Sequence, residues 1–197
     1  MFTTRTAGPN HPVSKPRPNL RPNLRPKRGL SLVEATCCLA ICAGLWGAAV
    51  PGFGELRMRQ QLKLSASQLA ADINLARASA MLQGKPIRLT WRSSATGTCY
   101  MVHSGSPSLC SCDAGGSAVC DAGAALVRSE FLPVASHVAL SAATGSILFD
   151  AQKGTVTPTA TFKLADTRGR TIHQVVNIMG RLRSCSPGAA VPGMKAC

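Results

Sequence analysis

The stretch Arg28-Gly29-Leu30-Ser31-Leu32-Val33-Glu34, with the residues 35–54 that follow it, decides the fold of this chain. The twenty residues 35–54 carry no charge, and about 20 apolar residues are what a helix needs to cross a bilayer. Seven Lys and Arg and no acid precede Glu34, so the positive-inside rule places the N-terminus in the cytoplasm. A plain membrane anchor does not explain Glu34, because a carboxylate at membrane depth is costly and usually functional.

The placement of Glu34 as the fifth residue after Gly29 resembles the class III signal of type IV prepilins and type II secretion pseudopilins. This resemblance implies that a prepilin peptidase cuts after Gly29 and methylates the new N-terminal residue, Leu30, where the family usually has Phe. It also implies a helix bend at Pro51 and a filament in which Glu34 neutralises the N-terminal amine of a neighbouring subunit. Two buried charges tolerate each other only as a pair. An ordinary single-pass anchor is the alternative.

The charge distribution separates a leader from the rest of the chain. Residues 1–29 hold 7 of the 22 Lys and Arg residues and none of the 8 acids, so the net charge of +14 falls to 15 − 8 = +7 for residues 30–197. We expect a cleaved basic leader at 1–29, a transmembrane or filament-core helix at 30–54, and one globular domain at 55–197. A charge of +7 favours polyanions such as nucleic acid, and a merely soluble basic surface is the alternative.

The nine cysteines divide into two groups. Three of them, Cys37, Cys38 and Cys42, lie in the apolar segment, where a reduced Cys behaves as a small hydrophobic residue. The other six follow the membrane segment, in an oxidising space where disulfides form: Cys99, Cys110, Cys112, Cys120, Cys185 and Cys197. Six cysteines allow 15 pairings, so the connectivity stays open. Cys185 with Cys197 would close a C-terminal loop, and the other four would staple the Cys-rich loop at 99–120 or, alternatively, bind zinc.

The periodicity predicts one long helix followed by antiparallel strands. A helical stripe consists of Leu62, Ala66, Leu69, Ile73, Ala76 and Ala80, and Gly84 and Pro86 end the helix at about Gln83. Residues 30–83 would form about 80 Å of helix. Alternation then predicts a strand at 87–92 and a hairpin partner at 98–103, with further strands at 126–132, 136–140, 146–150, 159–165 and 171–178. The fold class is therefore α+β, with the helix packed on an antiparallel sheet.

The C-terminal half carries a second resemblance. Phe149-Asp150-Ala151-Gln152-Lys153-Gly154, the strands after it, and Gly180-Arg181-Leu182-Arg183 together resemble the GspH/FimT group of minor pilins and pseudopilins. This resemblance implies a type IV pilin-like fold. In FimT-like members the Gly-Arg-x-Arg motif is associated with DNA binding during natural transformation, which nominates Arg181 and Arg183. The alternative is a structural Gly-Arg strand in a minor pilin that primes pilus assembly, or in a GspH-like pseudopilin of type II secretion.

The local chemistry of this motif suits a polyanion. In an extended segment Arg181 and Arg183 share one face, roughly 6.6 Å apart, and Leu182 points inward. Two guanidiniums so placed suit neighbouring phosphates, and Gly180 would allow the backbone to approach the ligand closely. Lys195, together with Arg168 and Arg170, would extend this patch. No aromatic platform for stacking single-stranded bases is evident nearby, so we expect binding to the backbone of duplex DNA without sequence preference.

An enzymatic function is not indicated. His103, His137 and His173 are spread over separate segments, and the sequence has no zinc-protease motif, nucleophile elbow, P-loop or dinucleotide fingerprint. We therefore expect no catalytic residues, no metal and no cofactor. The expected partners are other pilins, the prepilin peptidase, duplex DNA and the inner membrane. The expected location is a single-pass inner-membrane protein with a periplasmic C-terminal domain, which then enters an extracellular pilus.

Overall fold

The structure is a computed structural model that describes Gly29 and residues 31–197, apart from the side chains of residues 48–51. The chain divides into two compact units, of which the first ends at Gly44 and the second begins at Leu45. Helix α1 spans Leu32–Gln83. Among the described residues, no single helix is long and apolar enough to cross a membrane. Two parts of α1, Leu32–Gly47 and Gly52–Gln83, meet this requirement of length and composition only when they are taken together across the break between them.

The strands follow α1 in the order that the alternation predicts. They are β1 Ile87–Ser93, β2 Gly97–Ser104, β3 Cys110–Cys112, β4 Ala118–Cys120, β5 Leu126–Pro133, β6 Val138–Ala142, β7 Ser146–Phe149, β8 Val156–Thr157, β9 Ala160–Asp166, β10 Thr171–Val176 and β11 Leu182–Cys185. One sheet has the order β5-β2-β1-β7-β8, a second has β11-β10-β9-β6, and β3 and β4 form a separate hairpin. All of these strand pairs are antiparallel. The predicted α+β fold is confirmed.

The predicted helical stripe forms the helix side of the core. Its six residues, Leu62, Ala66, Leu69, Ile73, Ala76 and Ala80, are each 3% exposed or less. They belong to one apolar cluster with residues of both larger sheets, including Tyr100, Phe149 and Phe162. Truncating one of these leucines to Ala costs about 2–5 kcal/mol, because the surrounding packing relaxes only in part. The C-terminal half of α1 is therefore stabilised by its contact with the sheets.

Several predicted boundaries are wrong. The strand expected from residue 136 begins at Val138, because Val134–Ser136 form a short 3-10 turn. The strand expected to reach residue 178 ends at Val176, where the chain turns into the β10–β11 hairpin. The Cys-rich segment is not a plain loop, because it contains the β3–β4 hairpin.

Strict alternation of buried and exposed residues would leave the outer face of the five-stranded sheet exposed, but part of that face is buried. Thr90, which alternates with the core residue Leu89, is also buried, and its hydroxyl lies 3.0 Å from Nε2 of the buried His103. His103 and Cys99 share the face of β2 opposite Tyr100, whose hydroxyl contacts α1. The disulfide between Cys99 and Cys112 holds β3 against that outer face. The Cys-rich segment therefore acts as a second covering layer, and burial lowers the pKa of His103.

Candidate nucleic-acid interface

The β10–β11 hairpin presents the Gly-Arg-x-Arg motif. Val176 pairs with Leu182 and Val175 with Arg183. Beyond them, the backbone N–H of Asn177 donates to the carbonyl oxygen of Arg181 at 3.1 Å, and the N–H of Arg181 donates to Asn177 Oδ1 at 2.9 Å. This pairing leaves a three-residue loop, 178–180. Such loops commonly combine a type I turn with a left-handed residue at the third position, and Gly180 has a φ of +69°.

The two arginines of the motif lie on the outside of the molecule. Arg181 and Arg183 are exposed, and Leu182 is half-buried against the apolar core. The sheet spacing puts residues two apart on one face, roughly 6.6 Å from each other. The arrangement matches the alternation expected from the sequence.

Gly180 has an internal packing role. It is buried, and a Cβ at this position would lie 2.5 Å from the carbonyl oxygen of Gly154 and 2.8 Å from Nε of Arg77. The same Arg77 Nε donates a 3.1 Å hydrogen bond to that Gly154 oxygen. Gly180 therefore allows a close approach to this chain's own turn and helix, whereas its approach to a ligand stays a prediction. The packing of Gly180 on Gly154 and Arg77 therefore positions the two arginines that follow it.

Register places further positive charge on the outer face of the four-stranded sheet. His173 of β10 pairs with Lys163 of β9, and directly opposite residues of a sheet share a face. In the adjacent row of that face, Val175 lies between Arg183 and Thr161. We call Lys163, Arg181 and Arg183 the basic face. The charged side chains that β6, β9, β10 and β11 direct to this face are all positive, because Asp166, the acid among these strands, is buried.

His173 adds no charge to the basic face near neutral pH. Burial, and after it the charge of Lys163, lowers its pKa below the ordinary value of 6.5. Its imidazole Nδ1 lies 3.8 Å from Sγ of Cys197. The neutral ring therefore lies between Lys163 and the C-terminal disulfide.

Lys195 lies on a C-terminal segment that returns to β11. Cys197 forms a disulfide with Cys185, and the backbone N–H of Ser186 donates to the carbonyl oxygen of Lys195 at 2.8 Å. Lys195 is exposed. The backbone of Lys195 therefore lies beside Ser186, the residue that follows β11. Ser186 is about three residues, or roughly 10 Å of strand, beyond Arg183.

A comparison with known families agrees with this architecture. The sequence profile of the family described as "Type II transport protein GspH" matches residues 65–180, which is more than half of the chain. The chain belongs to the GspH family. The GspH/FimT resemblance is thereby confirmed, and the matched region ends one residue before Arg181.

Solved structures with a similar fold include two minor components of filaments. Minor pilin FimU of Pseudomonas aeruginosa is 22% identical, with 69% of this chain and 96% of that chain covered and a TM-score of 0.48. Minor pseudopilin EpsH of Vibrio cholerae is 16% identical, with 65% of this chain and 98% of that chain covered and a TM-score of 0.44. No curated protein sequence matches the chain.

Arg168 and Arg170 do not extend the basic face of this GspH-family chain. Arg170 Nε donates a 2.6 Å hydrogen bond to Asp166, and its Nη1 lies 3.3 Å from Glu55. Arg168 Nη1 lies 3.6 Å from the same Glu55, which also pairs with Arg59. Asp166 and Glu55 together offset most of the positive charge of Arg59, Arg168 and Arg170, and these contacts fasten the β9–β10 turn to α1, so neither Arg168 nor Arg170 is counted in the basic face.

The remaining cysteines of the GspH-family domain are all paired. Cys99 bonds Cys112, and Cys110 bonds Cys120 across the β3–β4 hairpin. The zinc alternative for these four residues is therefore wrong for this structure. Among the described residues, no group of three His, Cys, Asp or Glu side chains is arranged to hold a metal ion.

The N-terminal unit shows how α1 begins. The backbone N–H of Glu34 donates to Ser31 Oγ at 3.2 Å, and the N–H of Ala35 donates to the Ser31 carbonyl oxygen at 3.1 Å. Ser31 is therefore the N-cap of α1, a signal that the Ser-x-x-Glu spacing carries in the sequence. Glu34 is exposed, as are the free cysteines Cys37, Cys38 and Cys42. Leu30 and the side chain of Pro51 lie outside the described residues.

Proposed function

We propose that this GspH-family chain is a minor type IV pilin that binds the backbone of duplex DNA through Arg181 and Arg183 during natural transformation. One observation carries the proposal. Arg181 and Arg183 are both exposed, two positions apart at the start of β11, and the charged side chains that the strands direct to the outer face of that sheet are all positive. Guanidiniums bind phosphate oxygens with two parallel hydrogen bonds. Because the strands direct no carboxylate to this face, it does not repel the phosphates.

The proposal includes a membrane-bound and a filament-bound stage. A prepilin peptidase cuts between Gly29 and Leu30 and methylates the Leu30 amine. Residues 30–54 then hold the protein in the inner membrane, with residues 55–197 in the periplasm, until other pilins assemble with it into a pilus. Glu34 pairs with the N-terminal amine of a neighbouring subunit, and Pro51 bends the helix. A fully paired charge is the arrangement that a buried carboxylate tolerates best.

A salt-titrated binding experiment tests the DNA assignment. The full chain in detergent micelles is titrated into a fluorescent duplex between about 50 and 200 mM salt. Each phosphate contact contributes about 0.9 to the slope of log affinity against log salt, so R181A/R183A lowers the slope by about 2. K85A/R92A is the matched control, because it removes the same charge from exposed positions outside the basic face. Equal slopes for R181A/R183A and wild type would discard the assignment.

A second candidate is a pseudopilin of type II secretion or a priming subunit for pilus assembly, with no role in DNA binding. It is favoured by the family description, which names type II transport, and by a family match that ends before Arg181. A deletion strain separates the candidates. Restoration of DNA uptake by wild type but not by R181A/R183A supports the DNA-binding pilin. A secretion or piliation defect that both forms restore, without any effect on DNA uptake, supports the second candidate.

A further inference from the structure

The tip of the β10–β11 hairpin is apolar and projects into solvent beside the motif arginines. Ile178 and Met179 occupy the first two loop positions and are 61% and 57% exposed. More than half of each side chain is therefore left without packing in the free protein. They are also the side chains that minor-groove proteins insert between base pairs.

The backbone beneath this tip is held at several points. The N–H of Gly180 donates to the carbonyl oxygen of Asn177 at 2.9 Å, and the N–H of Val156 in β8 donates to the carbonyl oxygen of Ile178 at 2.9 Å. Arg77 of α1 packs under Gly180 through its bond to Gly154. The backbone of the loop is therefore preorganised, and little backbone entropy is lost when the two side chains meet a ligand.

The charge around the tip suits a polyanion. Arg181 and Arg183 follow it at the start of β11, and the turn that packs against Gly180 carries the exposed Lys153. The acid of this turn, Asp150, accepts hydrogen bonds from the backbone N–H groups of Gln152 and Lys153 at 3.0 and 2.8 Å. These bonds, that of Lys153 first, lower the pKa of Asp150. Backbone N–H groups therefore partly offset the negative charge of Asp150. The apolar tip lies between cationic groups, which are Lys153 and the two motif arginines.

We propose that Ile178 and Met179 form a wedge that enters the minor groove of duplex DNA and inserts between adjacent base pairs. Arg181 and Arg183 hold the flanking phosphates. This inference rests on the proposed function, since it concerns the same site and the same ligand. The arginines supply affinity that depends on salt, whereas the wedge supplies contact with the bases and bends the duplex.

The wedge makes binding depend on how readily the DNA deforms. Insertion requires that two base pairs unstack, which is easiest at pyrimidine–purine steps such as TA and CA. The duplex bends toward the major groove when a side chain opens a step from the minor groove. A protein that touched phosphates alone would leave the duplex straight and would ignore the step.

The experiment measures affinity and bending together. Full-length protein in detergent is added to a duplex with one central TA step and a fluorophore at each end. The variants are I178S/M179S, which removes the wedge, and R181A/R183A, which removes phosphate contacts. V119S/V134S is the matched control, because both valines are exposed, at 55% and 65%, away from the hairpin tip. All variants change exposed positions, so their folding is expected to match wild type.

We expect wild-type protein to shorten the end-to-end distance of the DNA, and I178S/M179S to lose this effect together with about tenfold in affinity. The slope of log affinity against log salt stays that of wild type in I178S/M179S, because the phosphate contacts remain. V119S/V134S should behave as wild type. Replacement of the central TA step by a stiff A-tract should weaken binding of the wild type but not of I178S/M179S.

Two kinds of failure are distinguishable. If I178S/M179S binds and bends DNA as wild type does, or if wild type binds without bending it, the wedge is wrong while the proposed function stands. If wild type does not bind duplex DNA at all, or if R181A/R183A binds it with an unchanged slope, the proposed function falls and the wedge falls with it.

Discussion

The phenol of Tyr100 in β2 donates a 2.7 Å hydrogen bond to the carboxylate of Asp72, which is buried on α1. Gln68 Nε2 donates to the same carboxylate at 3.1 and 3.2 Å, and Arg128 Nε lies 3.7 Å from it. Burial, and after it the bond to Asp72, raises the pKa of Tyr100 far above its ordinary value. The helix and the five-stranded sheet are therefore joined by a polar network in which the bond between Tyr100 and Asp72 is buried.

Tyr100→Phe should lower the free energy of unfolding by about 1–3 kcal/mol, because the buried carboxylate loses a donor that water does not replace. Urea unfolding, followed by circular dichroism, measures the change. Ser111→Ala is the control, since it removes a hydroxyl from an exposed position of β3. A Tyr100→Phe variant as stable as wild type would show that the network does not hold the helix to the sheet.

Gly180→Ala should destabilise the protein by about 2–5 kcal/mol, through positive-φ strain and a clash with the Gly154 carbonyl. Gly169→Ala separates these causes. Gly169 has a φ of +79°, and a Cβ added there would meet nothing within 4 Å, so that variant should lose only about 1–2 kcal/mol. Unfolding midpoints of the two variants give the comparison. Equal losses would mean that the contact among Gly180, Gly154 and Arg77 adds no constraint.

Glu55 should make stability depend on pH in the acidic range. The hydrogen bond from Arg59, more than the charges of Arg59, Arg168 and Arg170, lowers the pKa of Glu55 below its ordinary value of 4.5. Because the folded-state pKa is the lower one, the ionised carboxylate stabilises the fold above pH 4.5, and this contribution is lost as the pH falls through the lowered pKa.

The variant Glu55→Gln measures that contribution. The difference in melting temperature between wild type and E55Q should be constant above about pH 5.5 and shrink as the pH falls below 4.5. Thermal unfolding between about pH 3 and pH 7 provides the data, with about one pH unit between measurements. Melting curves that keep a constant separation over this whole range would contradict the prediction.

Processing at Gly29 should define the mature protein. Mass spectrometry of the native protein should find Leu30 as the first residue, with one added methyl group. Gly29→Val should leave the leader attached, whereas Glu34→Gln should be cut normally but enter the filament poorly, because the neighbouring amine lacks its partner. A native N-terminus at any other residue would remove the basis for a prepilin and for the pilus assignment.

Local patterns were enough to predict much of the fold and part of the site. Period-four and period-three spacing identified the buried stripe on α1, and alternation identified β1, β2 and the common face of Arg181 and Arg183. These features depend on residues a few positions apart, whose relative directions follow from backbone geometry alone. Asp72 is not one of the stripe residues, yet it is buried, where the hydroxyl of a tyrosine 28 positions away donates a hydrogen bond to it.

By itself, the sequence determined the helix, most of the strands and the exposure of the motif arginines, since each follows from a short repeat in one segment. The tertiary structure alone decided how the four cysteines at 99–120 pair, which arginines meet carboxylates and what lies beneath Gly180. Arg170 meets Glu55 across 115 positions, and Arg77 meets Gly154 across 77. Such contacts depend on how distant segments pack around one core, and no local period encodes that choice.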